Sequence, residues 1–275
     1  MSEALLRIEG ASLRRGEREL WAGLDLTVAP GEFIAVLGPS GSGKTTLLRA
    51  ILGLEPLTSG TITALGAPVR AKGNRRIGYV PQSRPLPRET SLRGRDLVAL
   101  GVDGHRWGLP ITRRADRARV DALVRSVGAE RFADQPVGLL SGGEQQRLRI
   151  GQALADEPRL LLCDEPLTSL DLANQRAVVS LIDSHRRRTD AAVLFVTHDV
   201  NPVLSSVDRI LYLAGGRFML GRPEEVLDSK VLSDLYGAPV YVLQAGGRLV
   251  VVGAPDAEEQ HHHHEDEDGD AGAHA

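Results

Sequence analysis

Cysteine is nearly absent: Cys163 is the single one in 275 residues. An intramolecular disulfide framework is therefore excluded, and a reducing compartment is expected. Aromatic residues make up only 4%, too few for the stacking surface that single-stranded nucleic acid demands. No run of 18 or more apolar residues occurs, so no membrane-spanning helix is expected. The opening MSEALLRIEG has no basic segment followed by an apolar stretch, and no signal peptide is expected. Nor does one sign of charge dominate, since 33 basic and 36 acidic residues leave a net of −3. That balance hides an asymmetry. Residues 256–275 hold eight acidic side chains and no Lys or Arg, so the rest of the chain is at +5. A net of that size is too weak to imply a nucleic-acid partner. Five of the eight histidines also fall in the last fifteen residues. The remaining composition, 42% apolar and 25% charged, is that of an ordinary globular protein.

Short apolar runs at 5–9 and 20–29 read as strands. Phe33–Leu37 (FIAVL) is a continuous apolar run ending at a Gly-rich turn, which predicts a buried parallel strand. A helix is predicted over 45–54, stopped near Gly53 and Pro56, and strands return over 60–80. From about Glu89 to Val137 the texture becomes helical and arginine-rich, as an inserted helical subdomain would be. Leu160–Cys163 and Ala192–Thr197 read as two more buried strands, with helices after them at about 172–188 and 201–206. A further helix is predicted near 223–235. Alternating strands and helices indicate an α/β layered sheet.

Gly38, Pro39, Ser40, Gly41, Ser42, Gly43, Lys44 and Thr45 spell GPSGSGKT, matching the G-x-x-x-x-G-K-[ST] phosphate loop between a predicted strand and a predicted helix. Its glycines let backbone N–H groups converge on phosphate oxygens, and the helix start adds partial positive charge. Lys44 is expected to reach the β- and γ-phosphates and the Thr45 hydroxyl to ligate Mg²⁺. Thr46 follows as a further nucleotide contact. Leu160–Pro166 (LLLCDEP) ends a buried strand in two carboxylates. Asp164 suits a Mg²⁺ role and Glu165 the orientation of a nucleophilic water. Cys163 in that strand reads as a small, inert hydrophobe.

Leu140–Arg147 reads LSGGEQQR. With GPSGSGKTT and LLLCDEP, this closely resembles the ATP-binding cassette family over roughly residues 5–250. The resemblance implies a P-loop NTPase, RecA-like core with an antiparallel β subdomain and a helical subdomain at about 83–145, together spanning 1–255. It implies ATP and Mg²⁺ as cofactors, with Thr45, Gln82 and Asp164 around the metal. Two copies would meet head to tail, each ATP lying between one chain's Lys44 loop and the other's Leu140, Ser141, Gly142, Gly143, Glu144 and Gln145. Bare N–H groups at the start of that helix suit an anion. Gln82, in YVPQ, resembles the glutamine that contacts Mg²⁺ and the attacking water. Ser169, Leu170 and Asp171 resemble the loop that crosses the dimer interface, and His198, in FVTHD, the histidine that contacts the γ-phosphate. One position departs from the family: Arg15 stands where an aromatic usually stacks on adenine, while Trp21, six residues on, reads as core.

The resemblance further implies integral membrane permease subunits as separate chains, docked through the helical subdomain, at the cytoplasmic face of a bacterial membrane. The C-terminal stretch, with HDVNPVLSSVDRILYLAGGR, GRPEEVL and VLSDLYGAPVYVL, resembles the cassettes of manganese, zinc and iron importers, which receive metal from an extracytoplasmic metal-binding protein. The consecutive His261, His262, His263 and His264, followed by EDEDGD, suit borderline divalent ions. Composition favours a disordered, acidic, His-rich tail over 256–275, and an expression tag is a third reading. Import of another solute, such as a metal chelate or haem, and a soluble cassette ATPase uncoupled from transport are the competing functions.

Overall fold

The computed structural model describes residues 3–70, 73–82, 86–104 and 114–253. The acidic segment 256–275, with His261–His264, lies outside the described residues. The chain opens with β1 (Leu6–Arg15), β2 (Arg18–Val28) and β3 (Phe33–Leu37), then α1 (Lys44–Ile51). It continues through β4 (Ser59–Ala64), β5 (Ala67–Pro68) and β6 (Ile77–Val80) to the helices α2 (Gly94–Asp103), α3 (Arg114–Ser126) and α4 (Gly142–Ala153). Then come β7 (Leu160–Asp164), α5 (Leu172–Thr189), β8 (Ala192–Val196), β9 (Arg209–Ala214) and β10 (Arg217–Gly221). The short α6 (Pro223–Val226), α7 (Ser229–Tyr236) and the hairpin β11 (Tyr241–Ala245) and β12 (Arg248–Val252) complete the described part.

The central sheet runs β10-β9-β3-β8-β7-β6, parallel except where β9 meets β10. Every residue of β3, β7 and β8 is buried, the pattern of a sheet covered on both faces. Alternation splits those residues between two cores. Ile34 and Val36 of β3 face α1 and the antiparallel sheet β2-β1-β4-β5, in a cluster that also encloses Trp21. Phe33, Ala35 and Leu37 face α5 and α7. Cys163 belongs to this second cluster, and burial raises its thiol pKa, as expected of an inert side chain. A third cluster, with Val98, Val102, Val124 and Leu148, joins α2, α3 and α4.

Two sequence expectations are corrected. Residues 201–206 form turns rather than a helix. Asn201 spends its backbone N–H and side chain on Asp199 and on Leu249, so its local bonds compete with helical ones. The predicted 223–235 helix is two helices, because Asp228 caps a new start by accepting from Lys230 N and Val231 N.

Candidate functional site

The phosphate loop links β3 to α1, so its geometry is set by two buried elements. Gly38 has φ 138, and a Cβ there would lie 2.0 Å from the Leu213 carbonyl oxygen of β9. Gly43 has φ 93 and would place a Cβ 3.0 Å from the Trp21 indole nitrogen. Only glycine fits either position without displacing backbone or core. Ser40, Gly41, Gly43, Lys44, Thr45 and Thr46 line a cleft of about 400 Å³. Pro39 lies on an adjoining cleft of about 740 Å³ that also reaches Gly38, Glu165 and His198. Ser42 turns inward, and its buried hydroxyl has no partner among the described residues.

Lys44 folds back over its own loop, its Nζ donating to Gly38 O at 2.7 Å and Pro39 O at 2.8 Å. Burial holds its ammonium below the ordinary lysine pKa, an effect opposed by Glu165 and Asp164. The Thr45 hydroxyl donates to Asp164 Oδ1 at 2.9 Å. Asp164 is buried at the end of β7, and burial raises its carboxyl pKa against the hydrogen bonds from Thr45 and Tyr79. Glu165 has φ 46, a left-handed conformation that turns it off the strand, with its N–H on Val196 O at 3.1 Å. Its Oε2 accepts from Gln82 Nε2 at 2.9 Å and from Thr168 Oγ1 at 3.3 Å.

The sequence alone did not point to Tyr79 or Thr168. Tyr79 donates to Asp164 Oδ2 at 3.2 Å, and burial beside that carboxylate pushes its own pKa up to about 12. The pairing follows from β6 lying parallel beside β7 with Tyr79 opposite Leu162, a register no local pattern shows. Arg15 is exposed at the end of β1, 3.7 Å from Glu55, and lines the smaller cleft with Arg18 and Leu20. Among the described residues no aromatic side chain lines that cleft.

Leu140–Gln145 line neither cleft. Ser141 caps α4: its Oγ accepts from Glu144 N at 3.3 Å and donates to Glu144 Oε2 at 2.8 Å, while Ser141 N donates to the same Oε2 at 2.8 Å. That is a complete capping box. Gly142 is exposed at the helix start, whereas Gly143 is covered by Asn174, which would lie 2.5 Å from a Cβ there. Leu140 and Gln145 are buried. Gln145 donates to Leu140 O and accepts from Leu86 N, so its side chain ties the loop to the segment before α2. Ser169 is exposed at φ 63, Leu170 is half-buried, and Asp171 caps α5 by accepting from Asn174 N at 2.8 Å. His198 stands exposed at the end of β8, on the larger cleft with Lys44 and Glu165.

The Glu144 carboxylate occupies the start of α4, where an approaching phosphate would compete with it. Glu144→Gln keeps a capping-box partner and removes the charge. A charge at a helix start is worth ~0.3–1 kcal/mol. The variant is therefore expected to lower the ATP concentration for half-maximal pairing of two chains by about two- to fivefold, measured by light scattering. An unchanged or higher concentration would remove Glu144 as a competitor.

The donor set near Thr45 fits Mg²⁺. The Thr45 hydroxyl and the Asp164 carboxylate meet beside the phosphate loop, and Gln82, which carries an amide oxygen, lines the same cleft as Thr45; all three bear hard oxygen donors.

A family model described as ABC transporter matches residues 21–168. A zinc import ATP-binding protein, ZnuC, of Pseudomonas fluorescens (strain Pf0-1) is 36% identical over 237 residues, covering 86% of this chain and 84% of that protein. A spermidine/putrescine import ATP-binding protein, PotA 1, of Pseudomonas aeruginosa is 36% identical over 245 residues, covering 86% of this chain and 66% of that protein. Among solved structures, a chain of an inward-facing ABC transporter described as metal-chelate type aligns with a TM-score of 0.74 at 27% identity, covering 90% of this chain and 96% of that one. The cbiO1 protein of Clostridium perfringens, part of the transporter complex cbiONQ, aligns with a TM-score of 0.71 at 25% identity, covering 85% of this chain and 94% of that one.

Proposed function

The chain belongs to the ATP-binding cassette transporter family, and we propose that within it this protein powers uptake of a divalent metal ion, zinc foremost and manganese next. At the coarser level it is the ATPase subunit of an importer, hydrolysing ATP to drive transport. The observation that supports the metal cargo is the similarity to zinc import ATP-binding proteins of several Pseudomonas strains, at 34–36% identity over 86% of the chain.

The residues divide the reaction as follows. Loop N–H groups and Lys44 bind the phosphates, Lys44 exchanging the carbonyls of Gly38 and Pro39 for phosphate oxygens. Thr45, Asp164 and Gln82 would hold Mg²⁺, which neutralises phosphate charge when bound. Tyr79 keeps one Asp164 oxygen fixed while Thr45 takes the other. Gln82 and Thr168 both anchor Glu165 Oε2, leaving Oε1 to align the attacking water and accept its proton. His198 contacts the γ-phosphate end. Ser141, Gly142 and the α4 start of a second copy complete each site, with Ser169–Asp171 between the copies. In this reading residues 1–255 form the cassette, and its helical part, about 83–145, receives permease subunits at the cytoplasmic face of the membrane. No helix among the described residues is long and apolar enough to cross a membrane. An extracytoplasmic metal-binding protein would deliver the ion.

The test is uptake in a deletion strain with several ions compared. Zinc or manganese uptake should fall and return with the gene. The PotA 1 relative favours a second reading, a polyamine cargo. Loss of spermidine uptake with normal metal uptake would replace our reading with that one. In the same assay, deletion of residues 256–275 is expected to change the metal dependence of uptake if His261–His264 sense cytoplasmic metal. An unchanged dependence would reject the sensor.

A further inference from the structure

The His198 imidazole is exposed, and among the described residues no hydrogen bond reaches it. Its position must come from the backbone beside it. Asp199 is the fixed point there. Its Oδ1 accepts from Asn201 N at 2.9 Å and Asn201 Nδ2 at 2.6 Å, and its Oδ2 from Arg248 at 3.2 Å. Asn201 then reaches across the chain to β12: its Nδ2 donates to Leu249 O at 2.8 Å and its Oδ1 accepts from Leu249 N at 2.8 Å. One side-chain amide thus pairs with the outer edge of β12 as a neighbouring strand would. The hairpin is anchored behind this edge. Val242 N donates to Ser229 Oγ and Val240 N to Ser233 Oγ, both on α7, and Val242, Leu249 and Val251 pack against the second core. Arg248 to Val251, on that same strand, line the cleft of about 740 Å³ together with Lys44, Glu165 and His198.

We propose that Asn201 and Arg248 are positioning residues for hydrolysis, through which the β11–β12 hairpin braces the His198–Asp199 loop against the triphosphate end of the cleft. This rests on the reading of His198 as the γ-phosphate contact. A purely structural role fits the contacts less well. The Arg248–Asp199 pair is exposed, at 54% and 35% of the two side chains, and such pairs add little to fold stability. The turns at 201–206 present Asn201 to the hairpin, where it bonds both backbone groups of Leu249.

The test uses the full chain. Arg248→Ala, Arg248→Lys and Asn201→Ala are made alone and with His198→Ala. ATP turnover and KM are measured, together with equilibrium affinities for ATP and ADP, and a thermal melt checks folding. The expected result is a kcat about tenfold lower for Arg248→Ala and Asn201→Ala, since small misplacement of a reacting group is costly. ADP affinity should stay unchanged, and Arg248→Lys should recover part of the loss. In the His198→Ala background neither substitution should lower turnover further. If His198→Ala slows hydrolysis while Arg248→Ala and Asn201→Ala do not, the brace is rejected and the His198 reading stands. Equal losses in both backgrounds also reject the brace. If His198→Ala leaves turnover unchanged, the γ-phosphate reading and the brace fall together. Should Asn201→Ala unfold, the exposed Arg248 pair decides the matter alone.

Discussion

Glu165→Gln is expected to lower ATP turnover by roughly 10²–10⁴-fold, the usual worth of a positioned general base, while ATP still binds and two chains stay paired around it. The geometry explains both halves of that outcome. Gln82 and Thr168 hold Oε2, and glutamine can present its carbonyl oxygen to both donors. The side chain would therefore keep its place and lose only its ability to take a proton. Lys44, the loop N–H groups and Asp164 are untouched, so phosphate binding should persist. The left-handed backbone at Glu165, with φ 46, is no harder for glutamine than for glutamate. Turnover at the level of the unmodified protein would remove the water-orienting assignment; retained folding with lost ATP affinity would move Glu165 from water to nucleotide.

What the sequence showed of this site followed the range of the interactions that make it. FIAVL, LLLC and AVLFV were readable as buried strands because each is a short continuous apolar run, too short for a helix and bounded by turn or polar residues. The phosphate loop was readable because its chemistry is local: glycines at Gly38 and Gly43, and a lysine at the helix start. Gln145 shows the opposite case. It lies within the LSGGEQQR octapeptide, yet its side chain is buried between Leu140 and Leu86. The face of α4 it occupies depends on how the segment before α2 packs, which the octapeptide does not encode. Tyr79 meets Asp164 only through the register of β6 on β7. The helix expected at 201–206 failed for a similar reason. Its apolar and polar spacing is helical, but Asn201 is claimed by Leu249, 48 residues later. Contacts between distant segments decided these positions, and a single sequence carries little trace of them.

Lys44→Ala and Ser141→Arg should each abolish hydrolysis alone and restore it when mixed. Lys44 lines the cleft proposed to hold the phosphates, whereas none of Leu140–Gln145 lines it. In the proposed reading the two groups of one chain therefore serve different nucleotides. In a head-to-tail pair of unlike variants, one site receives an intact Lys44 loop and an intact Ser141 cap, and the other site carries both lesions. Random pairing makes about half the dimers mixed, each with one good site, so the mixture should recover on the order of a quarter of unmodified activity. Arginine at 141 is chosen because its bulk blocks the exposed helix start; it also removes the Ser141 cap of α4, so a thermal melt of the variant checks its folding. The readout is ATP turnover of each variant and of the refolded mixture at one total concentration. A mixture no better than the mean of its two components would place both halves of the site within one chain. The head-to-tail pairing would then fall, and with it the part of the Ser141 cap in closing the partner's site.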